Sequence, residues 1–318
     1  MQIYKQNKTI KNMEKHPIGH QDNPLSKTGK LFSDNLLICF NGGIDKVKRE
    51  TDLNLVELHF QLYEEVPSGK RLKILEDYCR KVRKMGIELV AHCPFMKDKN
   101  KKGEDYRELN IDFVWPLVPQ EFKKKLVSEL KGNKCFLKKA SIKKISNFLE
   151  ILKKLGIRVL TMHVSKPGVW FNKKDFGKLL KILEKIKKIA DRNEVKIAIE
   201  TGGILEEEIS KIIGLGFGIN FDTAHYFLDL HMKGKNIQEA NKETAEVFKR
   251  VADRVYVIHL SQTTLDYDAH LNSFDSYGVL TCNEEILRYT KKKTLKPYVI
   301  LETHPDKKGI DIVRKILD

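Results

Sequence analysis

The chain has 318 residues, 41% of them apolar, and a formal net charge of +16 from 59 basic and 43 acidic side chains. No run approaches the ~20 apolar residues of a membrane-crossing helix, and the N-terminus (MQIYKQNKTIKNMEKHPIGH) lacks the apolar segment of a secretory signal. Five cysteines without a CxxC pair (Cys39, Cys79, Cys93, Cys135, Cys282) argue against a disulfide framework and for a reducing cytoplasm, and the basic excess suits either polyanionic partners or a thermophile's charged surface.

Residues 1–33 read as a loose, polar N-terminal extension, with Pro17, Gly19 and Pro24 and no sustained period. A single domain is expected over 34–318. Its strand candidates are LLICF (36–40), LVELHF (55–60), IELVAH (87–92), VLTMHV (159–164), VKIAIET (195–201), FGINFDT (217–223), VYVIHL (255–260) and YVILET (298–303). Helical patterns lie between them. In SIKKISNFLEILKKLG, Ile142, Ile145, Leu149 and Leu152 recur at helical spacing and Gly156 is a stop; 175–193 and 241–254 behave alike. Near-continuous apolar strands alternating with amphipathic helices predict a parallel sheet covered by helices. Eight such units over about 270 residues favour a closed α/β barrel of the (β/α)8, or TIM, type. The first strand is followed by NGGIDK rather than the GxGxxG of a dinucleotide site. Residues 97–140 are too long for a simple βα loop. This basic insertion, with Phe113, Trp115 and Phe122, reads either as a lid or nucleic-acid-contacting arm, or as a solvated helical insertion.

The strand ends share a pattern. His92, His163, Glu200, Asp222, His259 and Glu302 stand at or near the last apolar position of six different strands, with His225 three residues past Asp222. The C-terminal ends of barrel strands converge on one mouth. The loop after the seventh strand adds Asp268 and His270, two apart. Carboxylates gathered so closely repel one another, and neutral imidazoles do not neutralise them. Divalent cations do, and imidazole with carboxylate suits zinc, manganese or iron. A histidine alone at one strand end is commonly structural; it is the repetition over six strands that points to metal. His59, His231 and His304 lack such partners and read as structural or exposed, and His16 and His20 lie in the extension.

With the motifs AHCPF, MHVSKPG, IET, FDTAH, IHLS, DAH and ILETHP, the chain resembles the xylose isomerase-like barrels over about residues 36–305. Within them it is most similar to the endonuclease IV family, zinc-dependent nucleases acting at abasic sites in DNA. The resemblance implies up to three zinc ions: one held by His92, His163 and Glu200; a second, bridged by Glu200, completed by Asp222, His259 and Glu302; a third on His225, Asp268 and His270. It casts Glu200 and Glu302 as catalytic and Phe95, the aromatic after HCP, as a DNA-contacting side chain. It implies metal-assisted phosphodiester hydrolysis, with basic side chains on the phosphates. The segment after Glu200 is shorter than in that nuclease, the insertion before His163 is unusual for it, and NSFDSYG replaces a glycine-rich turn after His270. The alternative is a sugar or sugar-phosphate isomerase or epimerase. There Glu200, Asp222, His259 and Glu302 hold one divalent metal, and the two glutamates flank the substrate carbon as acid and base. A non-catalytic scaffold that keeps a metal for stability is the third reading.

Overall fold

The computed structural model describes residues 55–59, 69–93, 139–165, 167–265, 274, 278–292, 297–301 and 307–317. β1 (Leu55–His59) is followed by α1 (Gly69–Lys84) and β2 (Glu88–Cys93). Then α2 (Lys139–Lys154) leads to β3 (Val159–Met162), and α3 (Lys173–Arg192) to β4 (Lys196–Glu200). Next, α4 (Glu206–Gly214) precedes β5 (Gly218–Asp222), which runs directly into α5 (Thr223–Met232). The described chain ends with α6 (Ile237–Val251), β6 (Val255–Leu260), α7 (Cys282–Lys291), β7 (Tyr298–Leu301) and α8 (Lys307–Leu317).

The helices start where side chains satisfy their first amides. Asn172 accepts from the Asp175 N–H at 2.9 Å to open α3, and Asn236 with Glu239 forms a reciprocal cap on α6. On α3 the buried residues Phe176, Leu179, Leu183, Ile186 and Ala190 recur at alternating spacings of three and four, one stripe of a helix. That stripe packs on the outer face of the sheet. Phe148, Phe217, Phe221, Phe227 and Phe248 are fully buried in the same layer. Each side chain of this kind contributes about 1.5–3 kcal/mol relative to exposure.

The seven strands pair in chain order, and every described pairing is parallel. Because β1 also approaches β7, the sheet curls into a nearly closed barrel. All seven expected strands from residue 55 onward are present, each starting within one residue of its expected place. The first expected strand, 36–40, lies outside the described residues, as do residues 1–33 and all of the 97–140 insertion except Lys139 and Ala140, which open α2.

Alternation along the strands separates two surfaces. Val90, Val159, Ala198 and Val257 form a small cluster of their own, with Leu55, Tyr298 and Ile300 against it, inside the barrel. The residues between them face the helices. Two residues farther along, β2, β4 and β6 carry His92, Glu200 and His259, which therefore point the same way as that apolar plug. Pairing slips between Ile219 and Asn220, whose partners are Val255 and Val257. Tyr256 is left between them, and its ring covers Gly218 so closely that an added Cβ would meet it at 2.0 Å.

Candidate functional site

Register brings the polar ends level. His92 pairs with Thr161, Glu200 with Asn220 and Asp222 with His259. Glu57, on β1, pairs with Val90 and so also faces inward. His163 follows β3 directly. The result is a polar ring on top of an apolar plug.

Glu200 is the hub. Its Oε2 lies 3.2 Å from His92 Nε2, 3.1 Å from His163 Nε2 and 3.8 Å from His259 Nδ1. Its Oε1 lies 3.1 Å from His225 Nδ1. Asn220 donates to Oε2 at 3.1 Å. The two Nε2 atoms of His92 and His163 stand 2.6 Å apart, with their rings stacked. Nitrogens that close either share one proton or turn both lone pairs to a common cation. Below them Glu57 Oε2 is 3.4 Å from His92 Nδ1 and 3.2 Å from His259 Nε2.

Asp222 serves both fold and site. Its Oδ1 accepts the His225 N–H at 2.7 Å and caps α5. A capped helix starting directly from a strand end fixes where the third helical residue, His225, must stand. The other oxygen, Oδ2, lies 3.8 Å from His259 Nδ1 and 3.9 Å from His225 Nδ1. Thr201 steadies the corner: its hydroxyl donates to the Asp222 carbonyl and accepts the Asp222 N–H.

Charge follows from this packing. Burial works against ionisation of Glu200, but His163 and His92 outweigh it and hold the carboxyl well below the usual carboxylate range. Burial also lowers the proton affinity of His92, yet Glu57 and Glu200 together overcome it, and the imidazole is pushed up to about 10. For His163 burial wins, and its imidazole is held below the ordinary value. One proton-bearing histidine between two carboxylates, beside a His163 that burial keeps neutral, is an arrangement that a divalent cation can take over. The donor set fits such an ion. Glu57 with His92 and His259, His92 with His163 and Glu200, and Glu200 with Asp222 and His225 each offer ligand atoms within 4.8 Å of one another.

Another buried carboxylate lies beside the ring. Asp229, on α5, accepts the Gly168 N–H at 2.8 Å and the Gly203 N–H at 2.5 Å. Both glycines have positive φ, +77° and +71°. They sit in the loops that follow His163 and Glu200, so this one side chain ties the two loops together. Burial pushes Asp229 up to about 7 despite these amide donors.

Six of the expected site residues thus come together: His92, His163, Glu200, Asp222, His225 and His259. Glu302, Asp268, His270 and Phe95 lie outside the described residues. So do His16, His20, His304 and the side chain of His59. His231 behaves as expected of a structural residue, with Nδ1 against the Lys235 carbonyl and its ring on Phe227. The sequence reading missed Glu57, Asn220 and Asp229. A signal existed for the first two: in LVELH and GINFD a polar residue interrupts an apolar strand two places before its last residue. Asp229 gave none, being one polar residue in a helix that is buried on nearly every side.

Cys79 and Cys282 are free thiols, buried and pushed up to about 11 and about 12 by that burial. No helix among the described residues is long and apolar enough to cross a membrane.

A model of the xylose isomerase-like TIM barrel family matches residues 47–318. No curated protein sequence matches the chain significantly. Among solved structures, the chain is similar to a D-tagatose 3-epimerase-like protein, at TM-score 0.54 and 19% identity, covering 89% of this chain and 93% of that one. A xylose isomerase domain protein from Planctomyces limnophilus matches at TM-score 0.51 and 16% identity, covering 85% and 88%. A D-psicose 3-epimerase, solved with D-fructose, matches at TM-score 0.51 and 13% identity, covering 84% and 90%. At these identities the likeness is one of fold.

Proposed function

The chain belongs to the xylose isomerase-like TIM barrel family, and within it we propose that the protein is a metal-dependent isomerase or epimerase of a small sugar or sugar phosphate. The observation that carries this is the enclosure of the ring: Glu200, Asp222 and His259 are at most 1% exposed. A buried cluster of charge and imidazole suits a small polyol, whose hydroxyls replace water one for one, better than a duplex. The similarity to a D-tagatose 3-epimerase-like protein and a D-psicose 3-epimerase supports the same choice over the nuclease that the motifs resemble.

In this reading Glu200, Asp222 and His259, with Glu302, hold one divalent metal, manganese or zinc. The metal supplies Lewis-acid polarisation of the substrate's oxygens. Glu200 enters the reaction ionised because His163 and His92 favour its charged form. It takes the proton from the carbon beside the substrate carbonyl, and the C–H electron pair passes toward the carbonyl oxygen. For epimerisation Glu302 returns a proton to the opposite face of the same carbon; for isomerisation the proton returns to the carbonyl carbon, while the proton of the adjacent hydroxyl passes to the former carbonyl oxygen. Asn220 fixes one oxygen of Glu200 and His225 faces the other.

One observation favours the hydrolase as a second reading. His92 and His163 both close on Glu200, and a one-metal isomerase does not need them as ligands. The test is incubation of the manganese- or zinc-loaded protein in D2O with a panel of ketoses, aldoses and their phosphates, beside a duplex bearing an abasic-site analogue. Deuterium at the carbon beside the carbonyl, seen by NMR and lost in Glu200→Gln, is the expected result. Duplex cleavage 5′ to the lesion without sugar exchange would overturn it in favour of the hydrolase.

A further inference from the structure

We propose that the solvent face of α3 is a docking surface for a nucleic-acid duplex, held through its phosphate backbone without reading of sequence. The proposal stands apart from the metal site and from the reaction proposed for it. α3 carries eight basic residues against three acidic ones. Six of the eight, Lys174, Lys178, Lys181, Lys185, Lys188 and Arg192, follow one another at spacings of four, three, four, three and four, and all six are exposed. That spacing puts them on one side of the helix, opposite the apolar stripe from Phe176 to Ala190. At ~1.5 Å per residue the cationic stripe is about 27 Å long. Because α3 joins the end of β3 to the start of β4, the stripe runs down the flank of the barrel from the level of the mouth to the other end.

Such a stripe works against the helix. Like charges three or four residues apart weaken it, and here five successive pairs are alike. Other helices of the chain set opposite charges at that spacing: Glu207 faces Lys211 on α4, Lys242 faces Glu246 on α6 and Glu284 faces Arg288 on α7. On α3, Asp191 takes Lys187 beside the stripe, and among the described residues only Lys178 of the six meets a carboxylate, Asp175, at 3.0 Å. The helix dipole accounts for Arg192 in the last turn, but not for the five cations before it. A thermophile's surface gains from ion-pair networks, which a row of one sign does not form. What such a row complements is a dense row of anions. A duplex carries one charge per ~1.7 Å of axis, so a stripe of about 27 Å lies over more phosphates than it has cations. The stiffness of a duplex suits a straight helix. Single strands are held by base stacking on aromatic side chains, and the one aromatic on α3, Phe176, is buried. A membrane-docking helix lays its apolar side chains into lipid, whereas those of α3 pack on the sheet.

The test is fluorescence anisotropy of the full chain with two labelled DNA duplexes of about 20 base pairs and unrelated sequence, across a salt series. The parent should bind both alike, with log Kd rising against log salt at a slope of about 4–5, the value for roughly five phosphates at about 0.9 each. Lys181→Gln, Lys185→Gln and Lys188→Gln together should weaken binding at least ~10-fold and cut the slope by about 2.7. Relieved of repulsion, that variant should melt no lower than the parent. The control is Lys73→Gln, Lys84→Gln and Lys154→Gln, which removes the same net charge from exposed positions on α1 and α2 and should weaken binding by less than about threefold. Equal losses in the two triple variants would overturn the proposal, since diffuse net charge and not the stripe would then attract the duplex. Absence of binding at ~50 mM salt would overturn it as well. So would tighter binding of the parent to phosphatidylserine vesicles than to either duplex, which would make the occupant an anionic membrane surface. Each of these outcomes leaves the metal-site reading where it stands.

Discussion

Two buried carboxylates at the barrel mouth, opposite in character, set the two regions of this molecule against each other. Glu200 and Asp229 are 1% and 0% exposed. In the ring, Glu200 is held well below the usual carboxylate range; in the loop seam, Asp229 is pushed up to about 7. Burial acts against ionisation in both. The difference lies in the partners. Glu200 faces imidazoles, which can themselves become cations and repay a desolvated charge. Asp229 is held chiefly by the backbone amides of Gly168 and Gly203, which donate hydrogen bonds but carry no net charge, with His225 a smaller attraction. The ring is thus built for charge and for exchanging a proton or a cation, whereas the seam is built to fix loop positions.

The largest expected effect is on the ring. Glu200→Gln removes the charge that His92 and His163 share and should lower turnover by about 10²–10⁴-fold, the usual worth of a positioned proton-transfer group. It should also empty the site in metal analysis, while the fold, followed by circular dichroism, survives. The reverse is expected at the seam. Asp229→Ala leaves two buried N–H donors unsatisfied, at about 1–3 kcal/mol each, so the melting temperature should fall by many degrees. Residual folded protein should still bind metal. If Asp229→Ala abolished metal binding in fully folded protein, the separation of the two regions would be wrong.

Asp229 also gives the comparison a pH test. Its folded value lies above the ordinary 3.8, so the native state holds the proton more tightly than the unfolded chain. Its contribution to stability is full below about 4 and is lost as pH rises through about 7. Asp229→Asn does not titrate. The stability difference between parent and variant should therefore move against the parent across that window, at about 1.4 kcal/mol for each tenfold change in proton affinity. A difference that moved the other way in denaturant unfolding would mean that the two amides outweigh burial.

The barrel was legible because near-continuous apolar strands alternating with amphipathic helices need no long-range information. His92, His163, Glu200, Asp222 and His259 were legible at their strand ends for the same reason: parallel strands in a barrel must present their ends together. Glu57 and Asn220 were not found, because attention to the last position of each strand passes over the layer below it. Asp229 could not be found by pattern. Its partners are amides of Gly168 and Gly203, 61 and 26 residues away in the chain, and only the packed structure shows that a helix interior faces two loops. The choice between nuclease and sugar enzyme was not legible either. The same ligand types serve both, and enclosure is a property of the assembled mouth.

The smallest effect should come from Asn220, and it sharpens what the ring depends on. Asn220 is fully buried and its Nδ2 donates to Glu200 Oε2 at 3.1 Å. That oxygen also lies within 3.2 Å of His92 and His163, so loss of the amide removes one of three groups holding it. Asn220→Leu keeps the branched shape and deletes the donor. A neutral hydrogen bond is worth about 1 kcal/mol net, and one to a charged group about 1.5–3, so metal affinity should drop by roughly tenfold. His92 and His163 hold the same oxygen electrostatically and should keep it in place. A loss as large as that of Glu200→Gln would mean that the neutral amide, and not the imidazoles, orients the carboxylate, and the contrast between charged ring and neutral seam would then fail at its centre.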